Sequence, residues 1–356
     1  MTYKFLLYFS YSYAIPIGAP LEQEIIKRGH KVKWFTYIPE ARNSIPRNSE
    51  SLHSVEDLIL YQPDIILSMT DYVPDFLKAL KVQIFHGFNP DKRDEDEHFT
   101  IRGFYDLYCT QGPATTQPFK KQQEKYKHFE VVETGWSKMD PLFTNDSPKD
   151  KPHPLPVVMI TSTFSRRLSL ALNDEVFSEI KRLAATGRYD FITTLHPKLP
   201  AETIEKWKSL NGNHFTFFDT TNLIPLFKKA DVMFSDTTSA IQEFTLTKKP
   251  IVTYRHHRPN SYVINVTESA NIEEALDYAL TLPVEKMEAI EKTAQAIHPY
   301  TDGQSAKRVI DAAIDFLHKD KSCLKRKPLN LIRKYKVRKE LKYFTFKSYN
   351  KPFTKP

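Results

Sequence analysis

The sequence has little glycine, almost no cysteine and no long apolar run, and each shortage excludes something. Nine glycines in 356 residues form no Gly-rich phosphate loop of the dinucleotide or P-loop kind. The two cysteines, Cys109 and Cys323, fit no disulfide or metal spacing, which points to a reducing, cytoplasmic setting. No HExxH or CxxC occurs, and His256-His257 has no third ligand nearby, so neither a metal nor another cofactor is expected. No apolar stretch nears the roughly 18 residues of a spanning helix. The apolar start, Met1–Ser10, carries one cationic side chain and no small-residue cleavage site follows it. It reads as a buried strand rather than a signal peptide.

What is present suits two ordinary domains: 40% hydrophobic and 26% charged residues can build cores without staples. The net charge of +8 is unevenly spread. From Lys319 onward there are 14 Lys or Arg against Asp320 and Glu340, a net of +12, which leaves −4 for the rest. A basic block of that kind is expected to meet an anionic surface.

Short apolar runs alternate with helical patterns. Strands are expected at Lys4–Phe9, Lys31–Tyr37, Asp64–Met69, Val82–Phe85, Tyr105–Thr110 and Phe129–Glu133. Helices are expected at Leu21–Arg28, stopped by Gly29, and at Thr115–Tyr126. The segment 146–156 (DSPKDKPHPLP) has four prolines and reads as a linker. A second series follows, with strands at Val157–Thr161, Phe191–Leu195, Phe215–Phe218, Val232–Phe234 and Pro250–Tyr254. Its helices lie at Glu175–Ala184, Glu273–Leu282, Lys286–Ile297 and Ser305–Leu317. The expected class is α/β: an N-terminal domain over 1–145, a nucleotide-donor domain over 157–318, and a basic amphipathic tail over 319–356. Parallel sheets covered on both faces bind ligands beyond the carboxyl ends of their strands, so a cleft between the two domains is expected to hold the site. Asp91–Glu97 reads as solvated surface.

Several strand exits carry polar constellations. Ser235-Asp236-Thr237-Thr238-Ser239 joins a strand to a helix and offers hydroxyls and amides to a phosphate. Glu243, one turn later, could accept hydrogen bonds from ribose hydroxyls. Ser239 and Gln242 equally match a capping box. His196-Pro197-Lys198 follows another strand and could neutralise pyrophosphate charge, or be a surface loop. His86-Gly87 follows Val82–Phe85: the imidazole suits a general base on an acceptor hydroxyl, and Gly87 leaves room for a ligand, while a core or capping histidine reads equally well. Thr161–Arg167 (TSTFSRR) includes Thr163 and Arg166, which could grip phosphate, or form an exposed loop.

At these residues the chain resembles the CDP-glycerol glycerophosphotransferase family, over about Asp64–His318. The resemblance runs through His86-Gly87, Tyr108–Gly112, Thr134–Asp140, His196-Pro197, Ser235–Ser239 with Glu243, Lys249-Pro250, and Asp302-Gly303 with Ser305 and Arg308. It implies a GT-B fold of two Rossmann-like domains, His86 as base, and no metal. It further implies that His196 and Ser235–Ser239 hold the donor pyrophosphate and that Glu243 contacts the ribose. Gly135, Lys138, Asp140, Arg255 and Asp302 would line the cleft. The second domain is also similar to the UDP-N-acetylglucosamine 2-epimerases: His298–Gly303 is close to their Asn-Pro-Tyr-Gly-Asp-Gly, and Arg255–Pro259 sits where they carry an Arg-rich turn.

Three functions follow. The first is transfer of glycerol phosphate, or a related group, from a CDP-linked donor to a lipid-linked or polymeric acceptor, with a glycosyltransferase using a UDP- or CMP-sugar as its near relative. The second is a 2-epimerase, which has no need of a +12 tail. The third is a non-catalytic module using that tail on a polyanion. The tail interleaves Lys and Arg with Leu, Ile, Val, Tyr and Phe, and Leu331, Lys334, Tyr335 and Arg338 share helical spacing. It is expected to lie on the inner face of the cell membrane. Nucleic acid is not an expected partner.

Overall fold

A computed structural model describes residues 1–88, 99–144, 154–351 and 353–355. The acidic run 91–97 and most of the expected linker, 146–153, lie outside them. The chain divides into two compact units, Met1–Phe143 with Ile297–Pro356, and Thr144–Ala296.

The first unit holds a six-stranded sheet in the order β2-β1-β3-β4-β5-β6, all neighbours parallel. The strands are β1 (Lys4–Tyr8), β2 (Lys31–Phe35), β3 (Ile65–Ser68), β4 (Leu80–Gln83), β5 (Leu107–Thr110) and β6 (Glu130–Glu133). Central strands such as IILS and LYCT are buried along their whole length, as continuous apolar runs in a parallel sheet should be. Helix α1 (Ile15–Lys27) begins earlier than the periodicity suggests. Pro16 lies in its first turn, where a missing N–H costs nothing, and Pro20 lies inside it. Helices α2 (Val55–Tyr61) and α3 (Pro113–Tyr126) complete the crossovers. Ser54 and Asp57 cap α2 reciprocally.

The second unit holds β7 (Val157–Ile160), β8 (Asp190–Thr193), β9 (Phe215–Phe217), β10 (Val232–Ser235), β11 (Ile251–Tyr254) and β12 (Ile264–Val266). Their order, β12-β11-β10-β7-β8-β9, is the Rossmann arrangement, with a topological switch between β7 and β10. Around them lie α4 (Asp174–Thr186), α5 (Ala201–Lys208), α6 (Ala240–Thr245), α7 (Ile272–Leu280) and α8 (Val284–Ile297). Asn173 caps α4, its side chain accepting from Glu175 N and Val176 N. A core of Val158, Ile180, Trp207, Phe234 and Leu276 fills the layer between sheet and helices.

One expected boundary is corrected. The segment after Ile297 belongs to the first unit, so the donor unit ends near Ala296 and not at His318. Helix α9 (Ser305–His318) packs on α1, and Arg28 of α1 bonds Asp311. Gly112, which opens α3, marks the return point: a Cβ there would lie 2.5 Å from the Ile297 carbonyl. The expected helix ending at Ile297 is therefore the crossover itself.

The tail is folded rather than loose. Helix α10 (Leu331–Glu340) inserts Val337 and Leu341 into the core of the first unit, beside Phe76 and Phe104. Lys334 and Arg338, which share a helical face with Leu331 and Tyr335 in the sequence pattern, turn inward to Asp75. Leu331 and Tyr335 point out.

Candidate functional site

In the donor unit the exits of β7 and β10 lie side by side at the switch point, because Val232–Phe234 pair with Val158–Ile160. Ser235 and Asp236 are fully buried there. Ser235 Oγ donates to Thr161 O at 2.8 Å. The Asp236 carboxylate accepts from Ser162 Oγ at 2.5 Å, Thr163 N at 3.0 Å and Leu170 N at 2.9 Å. Ser162 Oγ also meets Ser169 Oγ at 2.8 Å. Ser235 and Asp236 were expected to touch the donor, but their side chains face inward and fix the Thr161–Leu170 loop. They position the site; they do not line it. Thr163 is buried too, whereas Phe164 and Arg166 are exposed on the same loop.

The outer part of the bend stays accessible. Thr237 and Thr238 are half-buried and Ser239 is exposed. Thr237 Oγ1 accepts from His257 N at 2.9 Å, which ties the bend to the loop after β11. Arg255 heads that loop with φ 48°, and its side chain bonds Thr267 O at 2.7 Å. The expected Ser239–Gln242 capping box does not form: Ser239 is helical and its side chain caps nothing. Glu243 is buried on α6.

After β8, Lys198 N donates to His196 Nδ1 at 3.1 Å. A ring nitrogen that accepts carries no proton, so a neutral His196 bears its proton on Nε2. Its ring packs 4.5 Å from Phe164, and Lys198 Nζ lies 5.3 Å over that same ring. His196, Lys198 and Phe164 thus form one cluster at the switch-point edge. Beside it is an open cavity of about 380 Å³ lined by Leu195, Pro197, Phe217 and Thr220.

Burial pushes the Asp236 carboxyl up to about 6. A carboxyl whose pKa is raised on folding binds its proton more tightly in the native state, so it adds stability as pH falls from about 6 toward 4. Wild type should gain roughly 2–3 kcal/mol over Asp236→Asn across that interval, read as unfolding midpoints in urea at several pH values. Parallel pH profiles for the two proteins would show that Asp236 titrates as an exposed acid.

In the first unit, His86 stands exposed just past β4. Its preceding residue, Phe85, is buried with φ 59°, a left-handed conformation uncommon for an aromatic side chain. The turn is braced by Trp136 Nε1, which donates to Phe85 O at 3.3 Å, and by Gln111 Nε2, which donates to Gly87 O at 3.0 Å. Tyr13 approaches the His86 ring with centroids 5.5 Å apart. Tyr13 and the segment after β1 carry no motif, and only their place beyond a strand end could have flagged them. A Cβ on Gly87 would meet nothing within 4 Å.

The remaining expected cleft residues are mostly scaffold. Gly135 has φ 79°, and a Cβ there would sit 2.5 Å from Ser305 Oγ. The Asp140 carboxylate accepts from Ser305 N at 2.8 Å and Ala306 N at 2.7 Å, capping α9 where its amides are unpaired and its dipole positive. Asp302 pairs with Arg308 on the same helix, within the first unit and not the second. These three residues dock the returning chain. Lys138 is half-buried, its amine 5.2 Å over the Trp136 ring.

Two parallel Rossmann-like units with polar strand exits of this kind define an α/β protein of the GT-B class. The chain belongs to the UDP-N-acetylglucosamine 2-epimerase family, whose model matches residues 122–313. Comparison with curated proteins finds no match in sequence. Among solved structures it is similar to the wall teichoic acid polymerase TagF, at 14% identity and TM-score 0.64, covering 87% of this chain and 88% of that one. It is also similar to the MnaA protein of S. aureus solved with UDP, at 14% identity and TM-score 0.59, covering 92% and 99%. A UDP-N-acetylglucosamine 2-epimerase matches at 15% identity and TM-score 0.58, covering 88% and 95%.

Proposed function

We propose that the chain is a transferase that takes a phosphoryl-linked group from a nucleotide-diphosphate donor, CDP-glycerol foremost, to a hydroxyl of a lipid-linked or polymeric acceptor in cell-surface polymer synthesis. The observation that carries this reading is His86: an exposed imidazole at a strand tip, on a strained turn braced by Trp136 and Gln111. Such a group suits a base that deprotonates an incoming hydroxyl. Among the described residues at the same edge of that sheet, Asp71 is paired with Arg102, and Glu133 is bonded to Thr116 and Tyr300. One of the similar TagF structures was obtained after a CDPG soak.

In the donor unit, His196 Nε2–H, Lys198 and the outer residues Thr237, Thr238 and Ser239 would receive the diphosphate, and Arg166 would swing onto it. The cavity lined by Leu195, Pro197 and Phe217 suits a nucleobase beside them. Such a reaction needs positioning and charge stabilisation rather than a covalent intermediate. A lipid-linked acceptor and the basic tail support a location on the inner face of the cell membrane. Among the described residues no helix is long and apolar enough to cross it.

A second reading, epimerisation of UDP-N-acetylglucosamine, is favoured by the family match. A thermal-shift panel of CDP-glycerol, CMP-, UDP- and GDP-linked donors tests both, since a ligand at 100 times its Kd stabilises by about 2.7 kcal/mol. CDP-glycerol should give the largest rise in Tm. A UDP-sugar preferred over it, together with a new sugar formed from UDP-N-acetylglucosamine alone, would replace the transferase by the epimerase.

A further inference from the structure

The fold sorts the tail's residues into two sets that the sequence mixes. The inner set is anchored. Lys327 pairs with Asp106 at 2.6 Å, Arg338 with Asp75 at 2.7 Å, Lys319 with Glu130 at 2.8 Å and Lys355 with Asp64 at 2.9 Å. Val337 and Leu341 lie in the core. The outer set is left in water. Ile332 is 75% exposed and Phe344 63%, and Leu329, Leu331, Tyr335 and Phe346 are exposed with them. Arg333, Lys336, Lys339, Lys342 and Lys347 are exposed on the same segment, with Glu340 as the one exposed acid there. Tyr335 and Phe344 lie 6.0 Å apart, which joins the outer side of α10 to the segment that follows it.

Six large apolar side chains exposed within 18 residues are unusual for a surface left in water. Lys and Arg interleaved with them exclude a purely apolar partner. Aromatic and aliphatic groups that enter the acyl boundary, with cations at headgroup level, match an anionic bilayer surface. We propose that the outer side of α10 and the following segment to Lys347 is a membrane-docking face for anionic phospholipid, held on the first unit by the anchored inner set. This rests on the membrane location just proposed and not on the identity of the donor. It differs from a flexible basic tether in that the contact is fixed in orientation: Lys334 and Arg338 do not take part, and the aromatic residues do.

The test is sedimentation of the full chain with vesicles of phosphatidylcholine containing phosphatidylglycerol, against phosphatidylcholine alone. Wild type should bind the anionic vesicles and not the neutral ones. Ile332→Ser/Tyr335→Ser/Phe344→Ser should weaken binding roughly tenfold or more, and Lys336→Glu/Lys339→Glu/Lys342→Glu by a similar factor, the latter with a shallower salt dependence. All six positions are exposed, so Tm and the donor-induced shift should stay at wild-type values. If wild type binds and the apolar triple variant binds as well as it does, the docking face is wrong although a membrane location survives. If wild type ignores anionic vesicles, the location itself falls. If RNA displaces vesicles at the same face and binds more tightly, the proposal is overturned in favour of a nucleic acid.

Discussion

His86→Ala is expected to lower acceptor-dependent transfer by roughly 10²–10⁴-fold and to leave donor affinity within about twofold of wild type. The argument is local. Phe85 holds a left-handed backbone whose cost, on the order of 1–3 kcal/mol, is repaid by burial of its ring against Tyr108 and Phe119 and by the Trp136 bond to its carbonyl. A conformation that is held at a cost fixes the direction of the next side chain, and here that side chain is an exposed imidazole. The groups assigned to the diphosphate, His196, Lys198 and Thr237–Ser239, all sit on the other unit. The two readouts therefore separate: transfer rate reports His86, and calorimetric titration of donor reports the second unit. A variant that loses donor affinity in step with its rate would make His86 a donor contact. A variant with an undiminished rate would remove the imidazole from the chemistry altogether.

How far the sequence carried this picture follows from what each signal encodes. Apolar runs such as VVMI, VMFS and IVTY announce buried parallel strands, because only a strand covered on both faces is apolar at every position. Their ends announce the exits where His86, His196 and Ser235–Ser239 sit. The alternation of strands and helices likewise points to the α/β class. What the pattern does not encode is tertiary choice. The periodicity of Ser305–Leu317 shows an apolar stripe but not which sheet it covers, so α9 reads as the end of the second domain although Asp140 caps it in the first. Asp236 reads as part of the donor turn because it sits among four hydroxyl residues between a strand and a helix. Its burial appears only when Thr163 N and Leu170 N are folded back onto it. Short edge strands such as Ile264–Val266, half-buried throughout, lack the apolar run that marks the central ones. The tail shows the same limit: Leu331, Lys334, Tyr335 and Arg338 share a helical face by spacing, and only the position of Asp75 decides which of them turns inward.

That inward choice yields the second large effect. Lys327→Ala should destabilise the first unit by roughly 3–5 kcal/mol. Lys327 Nζ lies 2.6 Å from Asp106 Oδ1, with side-chain exposures of 4% and 0%, and it also donates to Phe104 O at 3.0 Å. Taking the cation away leaves an ionised carboxylate in the interior, and that residual charge rather than the lost attraction sets the size of the loss. A neighbour decides how much of it appears. Lys81 is fully buried, its backbone N–H donates to the other Asp106 oxygen at 2.9 Å, and burial, helped by the Lys327 charge, holds its amine down to about 7. Without Lys327 that repulsion goes, and Lys81 can charge and compensate Asp106 itself. The amine is more fully charged at low pH than at high pH, and removing Lys327 raises the pH at which it loses its proton, so the cost of Lys327→Ala should be smaller at pH 6 than at pH 9. Urea unfolding at both values measures this. Lys327→Met, which keeps the buried stem, should lose nearly as much as alanine, and Lys327→Met/Asp106→Leu should recover part of it, since a neutral pair owes no desolvation. A loss under about 1 kcal/mol, equal at both pH values, would mean that the Lys327–Asp106 pair does not hold the tail and that Val337, Leu341 and Arg338 do so instead.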